Sequence, residues 1–278
     1  MCRERQRLAA ICMMLACFVL MCGTAWALWD GIVWPEASGE VVDTSKKLTI
    51  DLSHADQGYV MAHGPSTNKR LKLRVQMKGS KSYLDYDING EENWEIIPLQ
   101  QGDGDYQFSL FMQASGGKYS AEGQLVVTAK LVDPNAVYLV PNQYVYYDPE
   151  TEAVAKSDEI CAGLTTPREK FEAVRAYINE NYEYDFAKAK SKLPAGTLPS
   201  VEYAWDNGKG ICQDLAALAA CMLRVQGVPI RLDIGYVDKN YYHAWNTVII
   251  DGEEIQYDPT LELNAIQQGF RYTLERWY

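Results

Sequence analysis

The sequence predicts an α+β protein in which an all-β, sandwich-like domain precedes a domain of helices and antiparallel strands. Apolar and polar residues alternate from Lys46 to about Asp133 in seven short runs, which is the period of a β-strand. After Thr166 the apolar spacing changes to that of a helix, and alternation returns beyond Gly227. A block of strands followed by helices and further strands is typical of the α+β class.

The composition indicates a folded protein with an acidic surface. Of the 278 residues, 47% are hydrophobic, which suffices for one large domain or two ordinary ones. Lys and Arg number 26 against 37 Asp and Glu, so the formal net charge is -11. A negative protein has no electrostatic attraction for a phosphate backbone and is repelled by an anionic membrane surface. We therefore expect neither nucleic acid nor a lipid surface as a partner.

Residues 1–27 have the pattern of a signal peptide. Three arginines precede a long apolar run, and the small-x-small ending Ala-Trp-Ala predicts cleavage before Leu28. The run approaches spanning length, so a retained anchor is the alternative, and Cys22 leaves a lipoprotein as a further one. No later segment has the length and apolar character of a membrane span. We expect a secreted or cell-envelope protein with no stable membrane anchor after cleavage.

The cysteines do not form a disulfide framework. Removal of the predicted signal leaves three of the seven, namely Cys161, Cys212 and Cys221. An odd number in an exported protein leaves at least one thiol free or paired outside the chain, which suggests a chemical use for it. Cys221 falls on the apolar face of a predicted helix and is expected in the core.

The strand-rich half divides into three segments. Residues 28–45 lack sustained periodicity and are expected to form an extended arm. Residues 46–133 hold the seven alternating runs, rich in Tyr, Val, Ile and Phe and separated by turns such as GPSTN and QGDGD, and this spacing predicts an antiparallel sandwich. Residues 134–157 contain three prolines and several tyrosines, and are expected to connect the sandwich to a C-terminal domain over residues 158–278.

Two helices are predicted in the C-terminal domain. Thr166, Pro167 and Glu169 supply an N-cap, a favoured first helical residue and the acidic member of a capping box. A second helix is predicted over about residues 212–226, with Gly227 as its left-handed stop. Strands are predicted for the runs that follow, PIRLDIGYV, HAWNTVII and EEIQYDPT.

Cys212 is a candidate nucleophile because it stands at the start of the second predicted helix. Unpaired backbone N–H groups and the positive end of the helix dipole favour a thiolate over a thiol. The alternative is a small buried apolar residue, which is the usual state of a free cysteine. The neighbours that the fold gives to Cys212 decide between these interpretations.

A β-hairpin is predicted around Asp251 and Gly252. This dipeptide lies between two apolar runs, and Asp-Gly is a strong signal for a two-residue turn. Such a turn places Ile250 opposite Glu253 and thereby sets the register of the pairs that follow.

The same register places His243 and Asp258 on one face of the hairpin. It puts His243 opposite Thr260 and Trp245 opposite Asp258, so the histidine and the aspartate are diagonal neighbours, with about 7 to 8 Å between their backbones. An imidazole and a carboxylate that point toward each other close this gap. Asp258 would then hold one ring nitrogen of His243 while the other takes a proton from Cys212. Taken singly, a core histidine and an ordinary Asp-Pro turn are the alternatives.

The other polar residues are expected to be structural, and no metal or cofactor is indicated. The chain has no CxxC, HExxH, carboxylate cluster or phosphate-binding glycine loop. His54 and His63 have no cysteine or acid at ligand spacing. Asp214 is expected to stabilise the helix start, and Arg224 and Arg231 are expected to pair with acids.

Four motifs occur in order within about residues 165–262, namely GKGICQDLAALAACMLRVQGVPIR, GYV, HAW and DGEEIQYDPT. Together they resemble the transglutaminase-like superfamily, in the form of a bacterial-type exported member. The resemblance implies a papain-like fold and a Cys-His-Asp triad made by Cys212, His243 and Asp258. The helix start and the hairpin register select the same three residues.

The resemblance also implies a reaction class. A thiolate attacks a carboxamide or peptide carbonyl, and an amine or water resolves the thioester. Family members include cross-linking enzymes, peptidases, amidases and domains without activity. We therefore expect a thiol-dependent acyltransferase or an amide or peptide hydrolase, acting on a protein, peptide or cell-wall peptide. The alternative is a non-catalytic binding or assembly module that keeps the fold.

Three residues are candidates for stabilising the oxyanion. The backbone N–H of Gln213 lies beside the nucleophile. Tyr184 and Trp205 lie upstream, where the family tends to keep an aromatic donor, and nothing in their spacing chooses between them. A place in the core is the alternative for each aromatic residue.

Overall fold

The computed structural model describes residues 32–266 and 269–278. It combines helices with antiparallel sheets, in agreement with a mixed class of α and β structure. Val33–Tyr278 form one compact unit. The predicted signal peptide lies outside the described residues, and none of the described helices combines the length and apolar character needed to cross a bilayer.

From residue 32 onward, the described part of the N-terminal half contains eight strands in two antiparallel sheets. The strands are β1 Val42–Ser45, β2 Leu48–Asp51, β3 Tyr59–His63, β4 Leu71–Met77, β5 Leu84–Ile88, β6 Glu95–Pro98, β7 Gly104–Gln113 and β8 Tyr119–Ala129. One sheet has the order β1-β2-β3-β6 and the other β5-β4-β7-β8. Each of the seven predicted runs forms a strand.

Burial in these strands follows their alternation. Leu71, Leu73 and Val75 of β4 are buried, whereas the residues between them are partly exposed, because successive side chains of a strand point to opposite faces. The two sheets approach closely at Gly123 of β8, where a Cβ atom would lie 2.3 Å from the carbonyl oxygen of Ser45. A glycine is therefore required there by the space between the sheets.

One strand lies within the predicted extended arm. Val42–Ser45 pairs antiparallel with Leu48–Asp51 across a turn in which Lys46 has a φ of 53°. Three of its four residues are exposed. An exposed edge strand carries no apolar alternation, so the periodicity of residues 28–45 did not predict it.

A helix crosses the predicted boundary between connector and C-terminal domain. It is α1, Glu152–Cys161, and the connector also contains a short 3-10 helix at Ala136–Leu139. The buried face of α1 includes Ala153 and Ser157, and Ser157 Oγ donates a hydrogen bond to the Met222 carbonyl at 2.6 Å. Small and polar residues on a packed face give a weak apolar pattern, so the sequence did not indicate this helix.

The C-terminal half, apart from residues 267–268, contains five further helices and six strands. The helices are α2 Pro167–Asn181, α3 Phe186–Lys190, α4 Val201–Asn207, α5 Cys212–Arg224 and α6 Pro259–Leu263. The strands are β9 Glu183–Tyr184, β10 Lys209–Gly210, β11 Ile230–Val237, β12 Tyr241–Ile250, β13 Glu253–Tyr257 and β14 Tyr272–Trp277. β13, β12, β11 and β14 form one antiparallel sheet in that order, and β9 pairs with β10 in parallel.

Helix α5 is the centre of this half. All its residues from 214 to 224 are buried, and it packs against β11 and β12 and against α1, α2 and α4. Its start at Cys212 is as predicted. It ends at Arg224, two residues earlier than predicted, and Gly227 has the expected left-handed φ of 72°.

The predicted capping box at the start of α2 is confirmed. Thr166 Oγ1 accepts a hydrogen bond from the Glu169 amide at 3.2 Å, and Glu169 Oε2 accepts one from the Thr166 amide at 3.0 Å. Pro167 follows the cap. These reciprocal bonds satisfy N–H groups that the first helical turn leaves unpaired.

The predicted turn and register of the hairpin are confirmed as far as Tyr257. Ile250 pairs with Glu253, and the register continues without a shift to the end of β13. Asp251 and Gly252 have φ values of 54° and 80°, as this two-residue turn requires.

The predicted pairs beyond Tyr257 do not form. Pro259 follows Asp258, lacks the N–H that a strand ladder needs, and is favoured at the first position of a helix. The chain therefore turns into α6, with Asp258 as its N-cap. Thr260 lies in α6, so it is not the strand partner of His243.

Among the described residues, no Asp or Glu pairs with Arg224, contrary to expectation. Its side chain is fully buried and donates to the carbonyl oxygens of Val140 at 2.6 Å, Ile230 at 2.9 Å and Tyr278 at 2.9 Å. Burial lowers its pKa to about 10. Arg224 thereby joins α5 to the connector, to β11 and to the residue after β14.

Candidate active site

Cys212 occupies the first position of α5, directly after β10 and the N-cap Ile211. The first amides of a helix have no intrahelical acceptor, so the sulfur stands beside unpaired N–H groups at the positive end of the helix dipole. Cys212 is partly exposed, whereas Cys161 and Cys221 are buried. It is therefore the most accessible thiol in the part of the chain that the structure describes.

Asp214 anchors the helix start that carries Cys212, as predicted. It is fully buried, and its Oδ2 accepts from the Ile211 amide at 3.1 Å and from Lys188 Nζ at 2.7 Å. Its Oδ1 accepts from the Ser200 amide at 3.1 Å. Gly210 leaves room for this carboxylate, since a Cβ atom there would lie 2.8 Å from Asp214 Cβ.

His243 and Asp258 are in contact. His243 lies on β12, and its Nε2 is 2.8 Å from Asp258 Oδ2. The two side chains are 12% and 6% exposed. The register predicted this contact, but the turn into α6 forms it in place of a longer strand.

Two further hydrogen bonds fix the Asp258 carboxylate. Oδ1 accepts from the Leu261 amide at 3.1 Å as the N-cap of α6, and Oδ2 accepts from the Tyr272 hydroxyl at 2.8 Å. The Tyr272 ring also packs edge-on against Trp245, with centroids 4.9 Å apart. Sequence reasoning missed Tyr272, because it lies on β14 and no local pattern relates it to the hairpin.

Cys212 and His243 line the same cleft, which has a volume of about 240 Å³. Burial of the imidazole opposes its protonation, but the side chains of Asp258 and Cys212 favour it more strongly and raise the pKa of His243 to about 10. Because Nε2 is bonded to Asp258, Nδ1 is the nitrogen left to exchange a proton with Cys212. At neutral pH His243 is therefore an imidazolium beside the Cys212 sulfur.

Several segments build the walls of this cleft. Tyr144 comes from the connector, residues 193–197 precede α4, Tyr242 precedes His243 on β12, and Arg276 comes from β14. The cleft is thus assembled from parts of the chain that are distant in sequence.

The structure separates the three oxyanion candidates. Gln213 lines the cleft and is the second residue of α5, where its amide has no intrahelical acceptor. Tyr184 is not among the residues that line the cleft; burial raises its pKa, and the Cys212 side chain adds to the increase. Trp205 is not brought to the cleft, since its indole N–H donates to Glu152 Oε2 at 2.7 Å.

The other two histidines lie in the N-terminal half. The His54 ring stacks on Tyr59 with centroids 5.3 Å apart, and His63 Nδ1 lies 2.9 Å from the Gly64 carbonyl oxygen. Within residues 32–266 and 269–278, no three His, Cys, Asp or Glu side chains are arranged to hold a metal ion.

Residues 154–259 match the family model of the transglutaminase-like superfamily. This segment is transglutaminase-like. The match begins within α1, ends at the first residue of α6 and contains Cys212, His243 and Asp258. The resemblance seen in the sequence motifs is confirmed.

Solved structures are similar to the chain that contains this transglutaminase-like segment. A candidate cysteine protease from Cytophaga hutchinsonii is 17% identical, with 79% of this chain and 78% of that chain covered, at a TM-score of 0.39. A protein described as a TGase is 18% identical, with 39% of this chain and 30% of that chain covered, at a TM-score of 0.33. Red sea bream transglutaminase is 11% identical, with 72% of this chain and 47% of that chain covered, at a TM-score of 0.29. This chain thus spans less than half the length of the TGase and of the sea bream transglutaminase. No curated protein matches it.

Proposed function

We propose that the chain is a thiol-dependent acyl-transfer enzyme with Cys212 as nucleophile, His243 as acid and base, and Asp258 as the orienting carboxylate. The arrangement of the His243 ring is the observation that carries the proposal. One nitrogen is bonded to a buried carboxylate, and the ring shares a cleft with a partly exposed thiol at a helix start. This is the relation of nucleophile, base and orienting group that covalent catalysis requires.

In the first half of the reaction, the Cys212 thiolate attacks the carbonyl carbon of a carboxamide or peptide bond. Negative charge moves to the carbonyl oxygen, where the Gln213 amide and the Tyr184 hydroxyl are the proposed donors. The Nδ1 proton of His243 passes to the leaving nitrogen as the C–N bond breaks. Ammonia or an amine departs, and the acyl group remains on sulfur as a thioester.

In the second half, water or a primary amine attacks the thioester. Neutral His243 accepts the proton of the attacking molecule at Nδ1, and the C–S bond breaks to restore the thiolate and the imidazolium. Water gives hydrolysis and an amine gives transfer. Asp258 holds the ring in one orientation through both halves and is itself held by Tyr272 and the Leu261 amide.

We further propose that this enzyme is exported and acts on a protein, peptide or cell-wall peptide. The charged start, apolar run and small-residue ending of residues 1–27 support export. The close approach of the two N-terminal sheets at Gly123 supports a sandwich-like unit over residues 46–133. N-terminal sequencing of protein recovered from the medium and envelope tests export, with Leu28 as the expected first residue.

A substrate profile with and without a primary amine tests the proposed reaction. Carboxamide-bearing peptides are incubated with the enzyme, and the products are scored for ammonia, amine incorporation and cleavage. We expect product formation by the natural chain and by Cys161→Ala, which alters a buried thiol away from the cleft, and none by Cys212→Ala. Amine incorporation identifies a transferase and cleavage a peptidase. Product formation by Cys212→Ala would show that Cys212 is not the nucleophile, and absence of product from the natural chain as well would favour a binding module.

A further inference from the structure

The charge of the Cys212 cleft differs from that of the whole chain. The sequence has an excess of acidic residues, with a formal net charge of -11. Among the described residues that line the cleft there is no Asp or Glu, and there is one guanidinium, that of Arg276. When Cys212 and His243 form a thiolate–imidazolium pair, their charges cancel. Arg276 is then the remaining charged side chain among the described residues that line the cleft, while the Asp258 carboxylate stays bonded to His243 outside that lining.

Among the described residues, Arg276 forms no ion pair with a carboxylate, whereas most of the other described arginines do. Its Nη2 donates to the Tyr242 hydroxyl, and its Nε is buried with no hydrogen-bond partner. The arginines that form ion pairs with carboxylates are Arg70, Arg74, Arg175 and Arg231.

A guanidinium in this position has bonding capacity that the protein does not use. It carries five N–H donors and stays charged at all physiological pH values. A partly buried charge without a counter-ion is unfavourable, and a carboxylate is the group that matches the planar donor pattern of arginine. Tyr144 and Tyr242 flank the same cleft and offer aromatic surface for the rest of a peptide.

We propose that Arg276 binds a carboxylate of the acyl-donor substrate, so that the preferred donors are peptides with a free carboxylate near the attacked carbonyl. Either a chain-terminal carboxylate or an acidic side chain supplies this chemistry. The inference rests on the proposed function, because it assumes that the cleft beside Cys212 receives the substrate. Arg276 is a specificity-determining residue and takes no part in the transfer of protons.

Peptide binding to the Cys212→Ala protein tests this proposal without requiring turnover. The probes are acetyl-Ala-Gln-Ala with a free or an amidated C-terminus, and the amides of acetyl-Ala-Gln-Glu and acetyl-Ala-Gln-Gln. In calorimetric titrations we expect at least one acidic member to bind about tenfold more tightly than its neutral match, since charge-assisted bonds are the stronger ones. The pair that shows the difference identifies the source of the carboxylate.

Substitution of Arg276 should remove this preference. Arg276→Gln should bind acidic and neutral peptides equally, Arg276→Lys should retain part of the difference, and both should keep the circular dichroism of the parent. Arg271→Gln is the matched control, because it removes the same charge from an exposed position beside β14 and should keep the full preference. Equal binding of acidic and neutral peptides by the Arg276 protein, no binding of either, or a preference that survives in Arg276→Gln would overturn the proposal.

Turnover then separates this inference from the function on which it rests. With the active chain, Arg276→Gln should raise KM for the acidic peptide and leave kcat nearly unchanged, because the carboxylate contact is present in both ground and transition states. If peptides bind by charge but are never turned over, the proposed function fails and the carboxylate site remains. If acidic and neutral peptides are turned over with equal KM, the carboxylate site fails and the proposed function remains.

Discussion

Asp258 Oδ2 lies 2.8 Å from His243 Nε2, while the other oxygen of the same carboxylate caps α6. One residue therefore ends the hairpin, starts a helix and orients the imidazole. The position of the His243 ring depends on the start of α6 as much as on the turn at Asp251 and Gly252.

Substitution of Asp258 should separate its catalytic role from its capping role. Asp258→Asn keeps an oxygen that can cap α6, but its amide cannot accept from both His243 and Tyr272. We expect a loss of kcat of about a thousandfold or more, with the free energy of unfolding within about 1 kcal/mol of the parent. Asp258→Ala should lose the same activity and should also lower the free energy of unfolding by about a further 1 kcal/mol, because it removes the cap of α6. Near-normal turnover of the Asn variant in the same assay would show that another group orients His243.

The imidazole of His243 should titrate far above the ordinary value. Its folded pKa of about 10 exceeds the unfolded value of about 6.5. The resulting stabilisation is complete below about pH 6.5 and is lost as the pH rises through about 10. Nitrogen NMR of labelled histidine should show this titration, with lower values in Cys212→Ala and Asp258→Asn, since each variant removes a group that favours the imidazolium. A value near 6.5 in the parent would contradict the arrangement.

Alkylation of the thiols at pH 6 should distinguish activation of Cys212 from simple exposure. Iodoacetamide should label Cys212 much faster than Cys161 or Cys221, but the burial of those two thiols alone also predicts a difference. His243→Gln is the decisive comparison, because it keeps Cys212 exposed and removes the imidazolium. We expect the labelling of Cys212 to slow strongly in this variant at pH 6. An unchanged rate at pH 6 would mean that His243 does not activate the thiol.

The buried pair beneath the nucleophile should matter more for stability than a surface pair. Asp214→Ala leaves Lys188 without its carboxylate and frees the amides of Ile211 and Ser200. Urea unfolding should show a loss of about 3 to 5 kcal/mol. Glu172→Ala is the control, since it breaks an exposed ion pair with Arg175 and should cost at most about 1 kcal/mol. Equal effects of the two substitutions would contradict the anchoring role of Asp214.

Local patterns predicted the elements whose residues interact with near neighbours in sequence. The capping box at Thr166, the turn at Asp251 and Gly252, and the start of α5 at Cys212 each depend on a few adjacent residues. Arg231 also pairs with acids as expected, since its Nε lies 3.2 Å from Asp233 Oδ1. The candidate site could be identified because its residues lie at such elements.

Features that depend on distant contacts could not be predicted. Tyr272 and Arg276 come to the site because β14 pairs with β11, and nothing near them in sequence indicates that pairing. Arg224 uses carbonyl oxygens from three separate segments, whereas a sequence pattern suggests only charged partners. The alternation predicts a strand through Asp258, but β13 ends at Tyr257, because Pro259 lacks the N–H that a strand ladder needs.

Detection of an acyl group on Cys212 tests the central claim most directly. A carboxamide peptide is mixed with the enzyme, the reaction is stopped in acid, and the intact protein and its peptides are weighed by mass spectrometry. The account predicts an increase equal to the peptide minus ammonia or the leaving amine, located on Cys212, removed by hydroxylamine and absent from Cys212→Ala. Turnover with no adduct on Cys212 at any time point, or turnover retained by Cys212→Ala, would contradict it.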